Sequence, residues 1–359
     1  MAHAHPFFGL DASVQHAARR LPAILAPSAA IREAAARFAE MPAALSNWLY
    51  FEVRLDERHS AQVDVSTRIR RPQRDLLLTT PVLQEHESPV PGLARWWGDA
   101  STGSRIISQL WLEFDVPVPI PSAPPPVSSL PGIFIELTAA ARLDDAPAVR
   151  CAALLQTLPH LLGHEPPPAL IRAVTRAVGA LPPHADVMYV GSFAGRHADT
   201  VRLCAMRMAD ADIEPYLRRI GWPGDAAAVG AEIDTVCARK GGVPRVGVLN
   251  IDVSVDGVRP RLGLELPLPR APQYRGALPD GDFLDDLVAR RIVGAAYRDA
   301  LRRWPGAERI AMTHELWPSV AARCVNHLKL IHVPGEPLAA KAYLAWTHLP
   351  AGSGVPAAQ

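Results

Sequence analysis

Cysteine is scarce in this chain of 359 residues: Cys151, Cys204, Cys237 and Cys324 are the four present. They lie far apart and form no CxxC pair, which argues against a disulfide framework and against a clustered zinc site. No uncharged apolar run reaches 18 residues, so no segment reads as a transmembrane helix. Met1 to Leu10 lacks a basic stretch followed by a long apolar one and does not read as a secretory signal. Cytoplasmic residence without a membrane partner is the expectation. An excess of either charge is missing too. With 37 basic and 36 acidic residues the formal charge is +1, and a nucleic-acid surface needs a basic excess. The run Arg68-Ile69-Arg70-Arg71 reads as a solvated patch. The motifs HExxH, GxSxG, Walker A and GxGxxG are all absent.

Proline, in contrast, is abundant at 36 residues against 24 glycines. Its densest cluster, from Pro117 to Pro126, breaks helices and strand ladders alike and predicts a long loop at about 117–131. Around that loop the hydrophobic periodicity switches repeatedly between helix and strand. The Ala-rich start carries Ile31, Ala35, Phe38 and Met41 at helical spacing, so one or two helices are expected within 11–45. Alternating polar and apolar residues then predict a hairpin, Leu49–Leu55 with Gln62–Ile69. A less regular stretch covers 70–107. The second strand pair is 109–116 with 132–137. Helices follow at about 145–160 and 167–179.

The third pair is 186–193 with 200–206. A helix from Ala211 to Ile220 is closed by Gly221, and Asp210, Asp212 and Glu214 suit its N-terminus. Another helix covers 226–239. The fourth pair is 245–253 with 261–266, joined through Asp256-Gly257, a strong hairpin signal. A helix is expected over 282–303. The fifth pair is 326–333 with 340–346, turning at Pro334-Gly335-Glu336-Pro337.

Five pairs of local antiparallel strands separated by helices define an α+β protein: a single domain over 1–349, with the helical N-terminal segment packed on it and a flexible tail at 350–359. Ten such strands must hide their edges and one face. A closed barrel wrapped by helices does so, and an open antiparallel sheet with helices on one face is the alternative. Polar rows favour the barrel. Arg202 shares a face with Cys204, Lys341 with Tyr343, and Arg261 with Gly263 and Glu265, and a lumen would gather such rows.

Five successive helix–strand–strand–helix units, ending in Leu328-Lys329-Leu330 and Lys341-Ala342-Tyr343, resemble the ABBA-type aromatic prenyltransferases, including the cyanobactin-type peptide prenyltransferases. The resemblance covers nearly the whole chain as a pattern and rests on no compact motif. It implies a ten-stranded antiparallel barrel (the PT barrel) with helices outside. It implies prenyl transfer from an allylic diphosphate, dimethylallyl or geranyl, to an aromatic small molecule or a peptide. By that resemblance Arg54, Arg202, Lys329, Lys341 and Tyr343 would grip the diphosphate. Trp111 and Tyr189 would form aromatic walls, and Glu52 or Glu113 would be the base. The chemistry suits these side chains: fixed cations stabilise the departing diphosphate, aromatic faces an allylic cation, and a lumen keeps water out. The chain departs from other prenyl-chain chemistries, because Asp285-Asp286 is followed by Leu287-Val288-Ala289 and no DDxxD occurs. No tightly bound cofactor and no protein-held metal is expected; magnesium carried on the diphosphate stays open. The competing reading is a non-catalytic peptide- or ligand-binding protein of a biosynthetic cluster.

Other candidate chemistry is sparse. Of 13 histidines, His160 and His164 have helical ligand spacing, but Pro159 and the Pro-rich stretch beyond Glu165 argue against a metal site. His327 and His332 fall on opposite faces of a regular strand. Trp96-Trp97 suits either a substrate mouth or a buried position.

Overall fold

The computed structural model describes residues 10–56, 62–85, 88–116, 130–142, 147–193, 199–237, 246–279, 281–310 and 319–350. The expected Pro-rich loop, apart from 130 and 131, and the tail beyond 350 lie outside the described residues; Pro350 itself ends the last strand. The strands are β1 (Trp48–Arg54), β2 (Val63–Arg70), β3 (Ile107–Val116), β4 (Gly132–Leu137), β5 (Asp186–Ser192) and β6 (Thr200–Met206). They continue with β7 (Val248–Ser254), β8 (Gly257–Pro267), β9 (Gly306–Ile310), β10 (Ser319–His332) and β11 (Ala339–Pro350).

Each neighbouring pair is antiparallel, in the order β1-β2-β3-β4-β5-β6-β7-β8-β10-β11. β11 then pairs with β1, from Trp48 opposite Thr347 to Arg54 opposite Lys341. Ten strands therefore close into a barrel, and closure removes the edges that an open sheet would leave. β9 is an addition that the alternation did not reveal. It is short, and it pairs only with the first five residues of β10, Ser319 to Arg323. The second half of β10, from His327 onward, pairs with β8 instead.

Alternation explains which side faces the helices. In β1 Leu49, Phe51 and Val53 are fully buried, as are Val63, Val65 and Ile69 in β2 and Leu110, Leu112 and Val116 in β3. These residues meet an outer layer of helices, whose buried faces include Leu154, Leu158 and Leu161 of Pro147–Leu162 and Ile213, Leu217 and Ile220 of Asp210–Ile220. The N-terminal helices join the same layer, with Phe38 edge-on to Phe114 at 5.2 Å. Each large apolar side chain so buried contributes about 1.5–3 kcal/mol. The opposite alternation, largely polar, is left for the lumen.

Some local expectations change. Among its described residues the stretch 70–107 contains the α-helices Arg74–Leu77, Val90–Gly98 and Gly103–Ile106, with 3-10 turns at Arg71–Gln73 and Pro81–Leu83. The helix expected over 282–303 is two, Gly281–Ala289 and Ala295–Arg303. Arg291 sits at φ 60°, and the N–H groups of Ile292 and Val293 both donate back to the Leu287 carbonyl at 2.9 and 3.2 Å. This left-handed cap ends the first helix without the glycine that normally advertises one. Gly221 does cap its helix as expected, at φ 70°. Trp97 is fully buried and its indole N–H donates to the Ile107 carbonyl, so it is a core residue and not a mouth residue. Trp96 stacks on His160 at 4.2 Å among the helices. His327 and His332 do fall on opposite sides: His327 faces the lumen, and His332 contacts Glu232 at 2.8 Å. Among the described residues no helix is long and apolar enough to cross a membrane.

Candidate functional site

The strand register sets the lumen wall. Lys341 of β11 lies opposite Arg54 of β1 on one side and Lys329 of β10 on the other. Lys329 lies opposite Glu265 of β8. In the next layer Tyr343 lies between Glu52 and His327, and Glu52 lies opposite Asp64 of β2. A bulge between Val325 and His327 makes this alignment possible. The extra residue, Asn326, lets Cys324 and Lys329 share the inward face although five positions separate them.

In this half of the lumen a small cavity of about 20 Å³ is lined by Glu52, Glu113, Arg202, Asn250, Asp252, Arg261, Leu262, Gly263, Lys329, Ile331, Lys341 and Tyr343. That is room for roughly one water and well short of the about 300–1,000 Å³ of a ligand site, so a ligand enters only if the paired side chains part. The sequence singled out six of these twelve: Glu52, Glu113, Arg202, Lys329, Lys341 and Tyr343. Arg54 lies on the same face but nearer the rim. Its guanidinium donates to the Gln62 carbonyl at 3.5 Å, and it does not line the cavity. Trp111 and Tyr189 face the lumen in the other half.

The cavity side chains are tied to one another. The Lys341 ammonium donates to Glu52. Arg202 grips Asp252 with two N–H groups, at 2.7 and 3.0 Å. Lys329 donates to Asn250 Oδ1 at 3.0 Å and stands 3.4 Å from Glu265, which also accepts from Asn250 Nδ2 at 2.9 Å. Gly263 makes room for Lys329: a Cβ there would lie 2.4 Å from the Lys329 Cε.

The protonation states follow. Burial pushes the Glu52 carboxyl up, but Lys341, Lys329 and the Tyr343 hydroxyl outweigh it and hold the group well below the usual range. Asp252 is likewise held down by Arg202 against burial, and Arg202 is held fully charged by Asp252. Burial and three nearby carboxylates raise Tyr343 well above an ordinary phenol, so it stays a neutral donor. Asp64 goes the other way: burial and the Glu52 charge raise it. Carboxylate oxygens of Glu52, Asp64 and Glu113 lie within 4.8 Å of one another, and all three residues are buried. Three charges so close are costly, and a shared proton relieves them. Cys204, also inward-facing, has its thiol pushed up to about 12 by burial and is chemically quiet.

The other half of the lumen is aromatic. Tyr50 stacks on Trp111 at 4.8 Å and meets Trp48 and Tyr343 edge-on. Arg68 lies 4.2 Å above the Trp48 ring and Arg270 5.4 Å from it. Burial, followed by the neighbouring Arg70, pushes the Arg68 guanidinium down to about 10. Tyr189 closes the wall, its hydroxyl raised by burial and then by Glu136.

Sequence reasoning missed Asp64, Asn250, Asp252, Tyr50, Arg68 and Arg270 as site residues, and noted Arg261 and Glu265 only as a polar row. The first three carried a signal: Asp64-x-Ser66 and Asn250-x-Asp252-x-Ser254 are polar alternations in strands whose other face is apolar. Arg270 carried none, because it sits on the short helix Arg270–Gln273 outside the ten barrel strands.

No family model matches this chain, and no curated protein matches it. Solved structures do. The chain is similar to the prenyltransferase PriB in its binary complex with product diphosphate, at 14% identity and a TM-score of 0.54 over 97% of this chain and 100% of that one. It is similar to the PriB ternary complex with L-tryptophan and dimethylallyl thiolodiphosphate, at 13% identity and a TM-score of 0.53 over 96% and 98%. It is also similar to a 6-dimethylallyl tryptophan synthase, at 12% identity and a TM-score of 0.51 over 93% and 95%. At these identities the likeness establishes a shared fold.

Proposed function

We propose that this chain is a transferase that moves a prenyl group from an allylic diphosphate to an aromatic or peptide side-chain acceptor inside the barrel lumen. One observation carries the reading: Arg202, Lys329, Lys341 and the neutral phenol Tyr343 converge with Glu52 and Glu113 on a single buried cavity. An aromatic compartment built from Tyr50, Trp111 and Trp48 adjoins it. The PriB complexes, with diphosphate and with L-tryptophan beside a dimethylallyl donor analogue, support the same assignment of donor and acceptor type.

The arrangement suits the chemistry. Cleavage of the allylic C–O bond leaves the electron pair on the diphosphate, where Arg202, Lys329, Lys341 and the Tyr343 hydroxyl meet the growing charge. The allylic cation left behind is shielded by the Tyr50 and Trp111 faces. An electron-rich acceptor carbon or heteroatom forms the new bond to it, and Glu52 or Glu113 accepts the proton then released. Closure of the barrel excludes water, which would otherwise capture the cation. In this reading magnesium, where present, arrives with the diphosphate.

The test is incubation with dimethylallyl or geranyl diphosphate and a panel of tryptophan, tyrosine and arginine peptides plus the free aromatic amino acids, read by mass for a gain of isoprene units. Prenylated product is expected. No adduct, together with no saturable binding of either diphosphate, would overturn the reading. Binding of an acceptor-type ligand alone would instead establish the non-catalytic alternative, which the ion pairs already formed within the cavity favour.

A further inference from the structure

The cavity is close to electrically neutral. Arg202, Arg261, Lys329 and Lys341 line it, but so do Glu52, Glu113 and Asp252. Glu265 stands against Lys329, and Asp64 stands beside Glu52. A multiply charged anion entering such a space meets five carboxyl groups against four cations, and like charges a few ångströms apart in a buried site repel strongly.

The pairs are formed with the very donors an anion needs. Asp252 occupies two N–H groups of Arg202, at 2.7 and 3.0 Å, in the bidentate geometry that a phosphate would use. Glu265 stands 3.4 Å from the Lys329 ammonium and is itself steadied by Asn250. Both carboxyls are held below the usual range, Asp252 by Arg202 and Glu265 by His327 and Lys329, in each case against burial. They are charged at neutral pH.

Resting on the diphosphate reading above, we propose that Asp252 and Glu265 set the anion affinity of this lumen by holding the places on Arg202 and Lys329 that phosphate oxygens would take. Donor binding is then an exchange of partners. Arg202 leaves Asp252, and Lys329 leaves Glu265, to meet the diphosphate. The two carboxylates weaken the binding of any polyanion and restrict the lumen to one that makes enough new contacts, its prenyl chain against the aromatic compartment included, to offset the exchange.

The alternative is that the two carboxylates merely orient the cations. The two roles predict opposite signs. Isothermal titration with inorganic diphosphate in EDTA, on the wild type, Asp252→Asn and Glu265→Gln, separates them. Both amides keep the shape and a hydrogen-bond acceptor while removing the charge, and near-UV circular dichroism checks that each variant is folded. Exchange predicts that each variant binds diphosphate at least tenfold more tightly than the wild type. Equal or weaker binding by a folded variant, with the wild type still binding, would overturn the proposal and leave the prenyl-transfer reading standing. No diphosphate binding by the wild type or by either variant would overturn the proposal, and the prenyl-transfer reading then stands or falls on its own mass assay.

Discussion

Glu52 is 3% exposed and Lys341 is its closest partner, so each makes the burial of the other tolerable. Removing one partner of a buried pair leaves an uncompensated charge and costs about 3–5 kcal/mol, whereas removing both is often nearly neutral. Lys341→Met is therefore expected to lower the unfolding free energy in urea by about that amount, and the double variant with Glu52→Gln to recover most of it. Asp64 behaves oppositely. Its folded-state pKa lies above its unfolded value, so the folded state holds its proton more tightly, and ionisation costs stability as the pH rises past the unfolded value of about 4. Asp64→Asn should stabilise the protein at pH 7, and the gain should shrink as the pH falls toward 4. Thermal melts at the two pH values check this; a gain that is constant or grows at low pH would contradict it.

At the scale of the element, two glycines carry distinct demands. Gly257 sits at φ 110° in the turn between β7 and β8, where Ser254 lies opposite Gly257. A side chain is strained there, and Gly257→Ala should cost about 1 kcal/mol in equilibrium unfolding. Gly263 is needed for space. An added methyl would meet the flexible end of Lys329, at 2.4 Å, and the Asn250 Cβ at 3.2 Å. The ammonium should swing aside at a modest cost of about 1 kcal/mol, and diphosphate affinity should fall roughly tenfold as Lys329 leaves its place. A Gly263→Ala variant that binds diphosphate as the wild type does would show that Lys329 is not a contact. β10 shows how one strand serves two roles: its first half pairs with β9 and its second half with β8, and the bulge between the halves turns His327 and Lys329 inward.

For the molecule as a whole, closure is the decisive event. β1 and β11 are separated by almost the whole chain, yet seven residue pairs join them. Such long-range pairing forms late and slowly compared with the local hairpins. Deleting residues 339–359 would leave β1 and β10 with bare edges and open the lumen to water. That variant is expected to be aggregated, with its near-UV circular dichroism lost, in gel filtration and spectroscopy against the full chain. Recovery as a compact monomer would show that the open sheet is stable after all.

Strand existence, pairing within each hairpin and inward parity were legible in the sequence, because they depend on alternation over a few residues and on local turns such as Asp256-Gly257. The lumen face of Arg202, Lys341 and Tyr343 could be read the same way. The left-handed cap at Arg291 and the accessory β9 could not, since neither leaves a periodic trace. What only the tertiary structure decided is which charges meet. Glu52 and Lys341 are 289 positions apart, Arg202 and Asp252 are 50 apart, and Lys329 reaches Asn250 across 79. Those partnerships depend on the stagger of strands around a closed barrel, a property of the whole wall that no single strand encodes, and the same stagger makes the cavity nearly neutral.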